Sequence, residues 1–337
     1  TEMGRFLAAL AGLACLPAPA PAHHSRAEFT DVDLELEGEL VDLQWRNPHP
    51  IFTIKTAGAA GAEETWRLEA YGNALTLQRT GIRSDMFPIG GTIRVAGKVS
   101  GRRDRVLLAN HILLPDGTEA VLEYESAPHF AERHVGGSSS WVVDPAVVAR
   151  AAAENRGMFR LWSLPMRGLD SEHAAFTDAA IAGRASWDPL DNYLTRCELP
   201  GMPHIMRNPQ PYEIVQGDGE ILVRAQFFGV ERTIHMDNAG NPAEQPATRL
   251  GYSVGRWDGG VLVVETSRIN WPYFDNSGTP QSESVRVLER YTLSDDQSRL
   301  DFHMTVTDPA TLTEPATFDR YWLALGGELQ RYECVPD

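Results

Sequence analysis

Two adjacent histidines, His23 and His24, follow a run of alternating proline and alanine at residues 17–22. If the chain is cut after Ala22, His23 becomes the first residue, and its α-amino group and imidazole together form a bidentate chelate. A further imidazole, from His24 or from His49 in "WRNPHP", completes a histidine brace, and such a set of nitrogen ligands suits Cu(II). If the cut falls one residue earlier, His24 is third from the terminus, and its imidazole, the amine and two backbone amides form a square-planar copper site instead. The alternative is that both histidines belong to an exposed, flexible arm that binds no metal.

Two glutamates lie in strand-like segments that are apolar on both faces, Glu265 in "VLVVETS" and Glu289 in "VRVLERY". A carboxylate on an apolar face must pair with a cation or shift its pKa upward, and both are common at catalytic sites. One hypothesis is therefore a cofactor-independent hydrolase, lyase or isomerase. Glu265, Glu289 and His235 would be its acid–base groups, and Arg256 or Arg290 would bind an anion. The alternative is a structural network of salt bridges inside a narrow barrel.

Other catalytic motifs are weak or missing. "GYSVG" at Gly251–Gly255 matches the nucleophile elbow of serine hydrolases, but it continues into a hairpin, whereas that mechanism needs a strand-to-helix turn. This context disfavours Ser253 as a nucleophile. The phosphate-binding loop, the dinucleotide fingerprint, H-E-x-x-H and C-x-x-C are all absent, which disfavours nucleotide chemistry and thiol redox chemistry.

The elements that position these residues are mostly strands. Residues 33–124 alternate in five strand-like segments, and "NALTLQRTGI" between the third and the fourth has a helical pattern that Asn73 can cap. This order of elements predicts an OB-like five-stranded barrel. From Tyr212 onward about nine short strands follow in sequence, which predicts a larger antiparallel, lipocalin-like β-barrel. The fold class is thus mainly β, with a short helical connector between the barrels.

The predicted segments cover the whole chain. They are a signal peptide over 1–22, the OB-like barrel over 23–128, a linker and helical connector over 129–196, and the antiparallel barrel over 197–337. The signal peptide is indicated by Arg5, by an apolar stretch too short to span a membrane, and by the small residues "APA" before His23. We therefore expect a protein exported to the periplasm or beyond, with no stable membrane insertion once this segment is removed.

Net charge and cysteine content indicate which partners and which covalent link to expect. The formal net charge is −16, with 46 acidic and 30 basic residues, which makes nucleic acid an unfavourable partner and leaves a small-molecule ligand. In an exported protein Cys197 and Cys334 are expected to form a disulfide, although two unpaired buried thiols are the alternative.

A resemblance supports the expected location. "AHHSRAEF", "LEGELVDLQWRNPHP" and "LPDG" resemble a widespread family of small exported bacterial proteins of unknown function, over about residues 22–120. After removal of the signal peptide, members of this family begin with His-His-Ser. They carry Trp-x-Asn-Pro-His about twenty residues further along the chain. Here that pattern covers His23, His24, Ser25, Trp45, Asn47, Pro48 and His49. The resemblance implies a periplasmic, barrel-like domain without an assigned activity, and the remaining chain resembles another uncharacterised bacterial segment.

We therefore predict an exported protein that binds a small ligand, or a copper ion through His23, His24 and His49. The cofactor-independent enzyme remains the alternative.

Overall fold

The protein is described by a computed structural model over residues 28–58, 61–138, 143–163, 171–208, 210–237 and 240–336. The predicted mainly-β class is confirmed: within these residues the strands form two sheets, and the three α-helices are short. The strands of the first sheet are β1 (Phe29–Gln44), β2 (Ile51–Ala57), β3 (Glu63–Ala70), β4 (Thr92–Ser100), β5 (Val106–Leu113), β6 (Glu119–Val121) and β7 (His134–Gly136). The helices are α1 (Ala74–Arg79), α2 (Pro145–Ala153) and α3 (Asp178–Ala185).

In the first sheet, strands β1 to β5 form a closed ring of pairings. β1 pairs with β2 and with β4, β3 pairs with β2, β5 pairs with β4, and a parallel pairing of β3 with β5 completes the ring. The predicted order, five strands with one helix between the third and the fourth, is observed. Asn73 caps α1 as expected, because its side chain accepts a hydrogen bond from the Thr76 backbone N–H at 2.8 Å.

The length of β1 allows one strand to pair with two others. Its first part pairs with β4 and its last part with β2, and Gly38 lies where the two pairings overlap. A Cβ atom at Gly38 would lie 2.3 Å from the carbonyl oxygen of Lys55, so only glycine permits this close approach.

The second sheet contains β8 (Leu161–Trp162), β9 (Ser171–His173), β10 (Tyr212–Gln216), β11 (Glu220–Ala225), β12 (Glu231–His235), β13 (Tyr252–Asp258), β14 (Val261–Ser267), β15 (Arg286–Leu293), β16 (Arg299–Thr307) and β17 (Ala316–Leu325). Strands β10 to β16 follow one another in space in chain order, and β17 pairs with both β16 and β8, which makes a second closed ring. The expectation of a wholly antiparallel sheet is wrong at β12–β13. These two strands are parallel, because the connection between them returns the chain to the same end of the sheet.

The region predicted as linker and connector contributes strands as well as helices. β7 extends the first sheet beyond residue 128, while β8 and β9 both pair with β17 of the second sheet. Such two- and three-residue strands are too short to show an alternating pattern, so they could not be predicted from the sequence.

Aromatic side chains fill the interior of the second sheet. Trp162, Tyr291, Phe302, Phe318 and Trp322 are among its most deeply buried residues. A cavity between these and neighbouring side chains measures about 10 Å³, which is close to the smallest volume that holds one water molecule. Bulky rings therefore fill this part of the interior.

The predicted disulfide is confirmed. Cys197 and Cys334 are bonded, with their Cα atoms 5.8 Å apart and 137 positions apart in the sequence. It fastens the C-terminal tail to the entrance of the second sheet.

The same tail is also bound to the first sheet by Asn47 of the Trp-x-Asn-Pro-His motif. The buried Asn47 side chain donates to the Glu333 carbonyl at 3.1 Å, and its backbone carbonyl accepts from the Val335 N–H at 2.9 Å. Its Oδ1 accepts from the N–H of Ala74 at the start of α1. The motif residue thus joins the tail, the first sheet and its helix.

In the part of the chain that the structure describes, no helix has the length and apolarity that crossing a lipid bilayer requires.

Candidate functional site

A β-bulge places two consecutive polar residues on the outer face of the first sheet. In the β4–β5 ladder, Ala96 pairs with His111 and Gly97 pairs with Ala109, so Asn110 is an extra residue without a counterpart on β4. Successive side chains of a regular strand point to opposite faces, but a bulge redirects one of them. Asn110 and His111 therefore both line the same cleft.

Gly97 makes this bulge possible. A Cβ atom at this position would lie 1.9 Å from the carbonyl oxygen of Leu108, so a side chain is excluded where the two strands approach. We infer that the local geometry of the cleft depends on glycine at this one position of β4.

The cleft has a volume of about 520 Å³, within the range of sites that bind small molecules. Its walls come from β1, from β4 and β5, and from the segment after β6. The polar residues that line it are Asp33, Glu35, Lys98, Asn110, His111, Glu123 and His129.

Glu119, which is fully buried, holds one wall of the cleft in place. Its carboxylate accepts hydrogen bonds from His111 Nδ1 at 2.9 Å and from the backbone N–H groups of His129, Phe130 and Ala131 at 2.7–2.8 Å. Burial acts to raise the pKa of Glu119, but these hydrogen bonds outweigh it and hold the pKa below its usual range. Because the carboxylate is ionised and only accepts, His111 Nδ1 must be the donor.

Asn110 is the most deeply buried polar residue among those that line the cleft, with 7% of its surface exposed. Its amide nitrogen donates to Glu123 Oε2 at 2.7 Å, which fixes the orientation of the amide, because the reverse orientation would place two oxygens together. Its Oδ1 has no hydrogen-bond partner among the described residues. A buried acceptor without a partner costs about 1–3 kcal/mol.

The charges on the other side of the cleft are already paired. Lys98 lies 2.7 Å from Asp33, whose hydrogen bond raises the lysine pKa. Glu35 accepts from His129 Nε2 at 2.7 Å and from Arg94 at 3.1 Å, and the hydrogen bond from His129 is the main reason that the pKa of Glu35 is lowered.

The structure places Glu289 in a buried network inside the second sheet. Arg232 binds its carboxylate with both terminal nitrogens, one at 2.9 Å, and the Tyr291 hydroxyl donates to it at 3.0 Å. Arg232 also donates to Ser253 and Thr266, and all five residues are almost fully buried. Burial acts to lower the pKa of Arg232, but the charge and hydrogen bonds of Glu289 outweigh it and raise the pKa. Every polar group of this network has a partner, as in the structural salt-bridge alternative.

Glu265 lies on the opposite, outer face of the sheet. Its side chain is 63% exposed and pairs with Arg256, also exposed, at 2.7 Å. The prediction that both carboxylates occupy the interior is therefore wrong for Glu265. Adjacent β14 and β15 place Val264, not Glu265, opposite Glu289, so the two carboxylates cannot act on one substrate atom.

The remaining predicted catalytic residues lie away from Glu289. Arg290 is on the outer face, 3.5 Å from Asp258, and the His235 ring stacks on Tyr252 with centroids 4.5 Å apart. Ser253 of the "GYSVG" segment is 1% exposed within the Arg232 network, so substrate cannot reach it. A catalytic role for Glu265, Glu289, His235, Arg256 and Arg290 stays a prediction. Of these residues the structure pairs Arg256 with Glu265, on the face of the sheet opposite to Glu289.

Of the predicted copper ligands, His49 lies between β1 and β2 and is partly buried. His23 and His24 lie outside the described residues. Within the described ranges, no group of three or more His, Cys, Asp or Glu side chains is arranged to hold a metal ion.

The cleft residues were missed by sequence reasoning, although a signal was present. Leu107 and Ala109 are core residues at alternate positions, but the next ones on β5 and beyond are Ile112 and Leu114. This three-residue step is what a bulge produces, and it marks Asn110 and His111 as a consecutive outward pair.

Comparison with known proteins agrees with the resemblance seen in the sequence. No match is found among curated proteins. Residues 10–106, which include β1 to β4 and the first residue of β5, match the model of a family of unknown function (DUF6152).

Proposed function

We propose that the protein is an exported binding protein that holds a small polar ligand in the cleft of its first sheet. The observation that carries this proposal is the buried Oδ1 of Asn110, which lacks a partner among the described residues in a cleft of about 520 Å³. Polar groups that fix the orientation of a ligand are typical of small-molecule sites. The closed pairings of the two sheets support a scaffold of an OB-like barrel and a lipocalin-like barrel.

Binding in the cleft is tested by nuclear magnetic resonance with a panel of amino acids, diamines, dicarboxylates, sugars and nucleosides at millimolar concentration. We expect at least one compound class to shift the side-chain amide signal of Asn110 and the backbone signal of His111. The same compound should fail to bind Asn110→Leu, which keeps the volume but removes the amide, and should bind Gln44→Leu, which removes an exposed amide elsewhere in the sheet. If every binder shifts only residues outside the cleft, or if none binds, the proposal is wrong.

The proposal also includes export of the protein and binding of a copper ion at its mature N-terminus. The "APA" pattern before His23 supports cleavage there, and the Cys197–Cys334 disulfide is compatible with an oxidising compartment. His49 follows directly on the Asn47–Pro48 step of the motif, and it supplies the second imidazole of the proposed copper site.

Copper binding is tested on protein that begins at His23. We expect Cu(II) to bind with submicromolar affinity, measured by competition with a chelator of known affinity, and His49→Ala to abolish this binding. Protein whose α-amino group is acetylated is the control, because acetylation removes the amine from the chelate without adding a residue that would make His24 the third residue of the chain. Equal affinity of both forms would exclude the brace. N-terminal sequencing of protein recovered from the periplasm shows whether the bond after Ala22 is cut.

A further inference from the structure

We infer that the ligand of the cleft is a small organic cation that carries several N–H donors, such as a diamine. This inference rests on the proposed binding function of the cleft and adds the chemical class of the ligand.

The charge of the cleft favours a cation. The carboxylates of Asp33, Glu35 and Glu123 line it together with the ammonium of Lys98. Lys98 pairs with Asp33 and Arg94 pairs with Glu35, so the charge of Glu123 remains without a paired lysine or arginine in the contacts seen. Lys98 is bound by Asp33 at 2.7 Å, so it is not available to attract an anionic ligand. An anion would therefore enter a negative cleft without a cation to receive it.

The hydrogen-bonding groups of the cleft point to the same class. Asn110 presents a buried oxygen without a partner among the described residues, and Glu123 uses only its Oε2 on the Asn110 amide in the contacts seen. His111 donates its Nδ1 proton to Glu119, which leaves Nε2 as the ring nitrogen that can accept from a ligand. Three neighbouring residues thus offer acceptors, and a ligand that satisfies them must be rich in donors.

The arrangement around Asn110 distinguishes this cleft from a patch of exposed carboxylates on a strand. The bulge on β5 brings the buried amide and the imidazole to one wall, and Glu119 and Glu123 fix both in position. Such fixed acceptors lose little freedom on binding, which favours affinity for a complementary ligand.

The inference is tested by isothermal titration calorimetry at low ionic strength with three ligands of equal chain length. These are 1,4-diaminobutane, 1,4-butanediol and succinate, which differ in charge. We expect the diamine to bind at least about tenfold more tightly than the diol, and succinate not to bind. Low ionic strength is needed because salt screens the exposed carboxylates.

Two charge-removing variants separate the effect of contacts inside the cleft from the effect of the overall negative charge of the protein. Glu123→Gln should weaken diamine binding by about tenfold or more, because it removes a charged acceptor inside the cleft. Glu314→Gln removes the same charge from an exposed site on the second sheet, where Glu314 pairs with His173, and should change the affinity less than about twofold. Lys98→Met should strengthen binding of the diamine, because Asp33 is then released.

The outcomes distinguish this inference from the binding function itself. Equal affinity for diol and diamine, tighter binding of succinate, or equal losses in Glu123→Gln and Glu314→Gln would overturn the cationic class. If none of the three ligands binds while another compound of the wider panel shifts Asn110, the cationic class is wrong and the binding function stands. If nothing binds in either experiment, both are wrong.

Discussion

Replacing Arg232 with methionine is expected to lower the free energy of unfolding by about 3–5 kcal/mol, since it leaves the charge of Glu289 buried with one hydrogen bond from Tyr291. Removing both charges, as in the Arg232→Met and Glu289→Leu double variant, should cost much less than the single change. A buried pair gains little over apolar side chains of similar size, whereas an unpaired buried charge is strongly unfavourable. Urea unfolding followed by tryptophan fluorescence measures these differences.

The matched control is Arg256→Met, because Arg256 and Glu265 form the corresponding pair on the outer face of the same sheet. Both of these side chains are more than half exposed, so their contribution is about 0–1 kcal/mol. Equal destabilisation by Arg232→Met and Arg256→Met would contradict the assignment of the buried network as a main structural contact of the second sheet.

Replacing Cys197 and Cys334 together with serine is expected to destabilise the protein by about 4–5 kcal/mol. The disulfide closes a loop of 137 positions, and the chain entropy of the unfolded state rises when so long a loop is opened. The tail would then be held by non-covalent contacts, which include those of Asn47, the hydrogen bonds from Arg46 and the packing of Tyr332 on Phe227 and Phe228.

The measurement is urea unfolding with and without a thiol reductant. Reductant should lower the stability of the unchanged protein to that of the double serine variant and should have no further effect on the variant. Asn47→Ala in the oxidised protein should cost only about 1–3 kcal/mol, since the covalent link still retains the tail. A larger effect of Asn47→Ala than of the cysteine changes would show that the tail is retained mainly by the motif.

Local patterns predicted much of the fold. The order of the first five strands, the position of α1 and its cap at Asn73 followed from alternation and capping, which depend on neighbours along the chain. The pairing of Cys197 with Cys334 followed from cysteine count and compartment. The short strands β8 and β9 and the parallel step between β12 and β13 were missed, because they arise from distant segments that meet only in the folded chain.

The misplacement of Glu265 has a specific cause. Val261 and Val263 share its face, and this apolar pattern suggested burial. In the structure Val263 lies opposite Arg256 on one neighbouring strand and opposite Arg290 on the other, and it is fully buried. Long arginine stems can cover an apolar residue on a surface while their charged ends stay in water. A buried valine on an outer face therefore does not place its neighbours in the interior.

The sequence by itself determined the mainly-β class, the faces shared by residues along each strand, the candidate disulfide and the acidic surface, because composition and alternation are local properties. Only the tertiary structure decided which face of each strand lies inside, since this depends on how the strands close on one another. It also decided that Glu289 meets Arg232 and not Glu265. The cleft exists for the same reason: a bulge against Gly97 turns Asn110 and His111 to one side, and β1 and the segment after β6 supply the opposite walls.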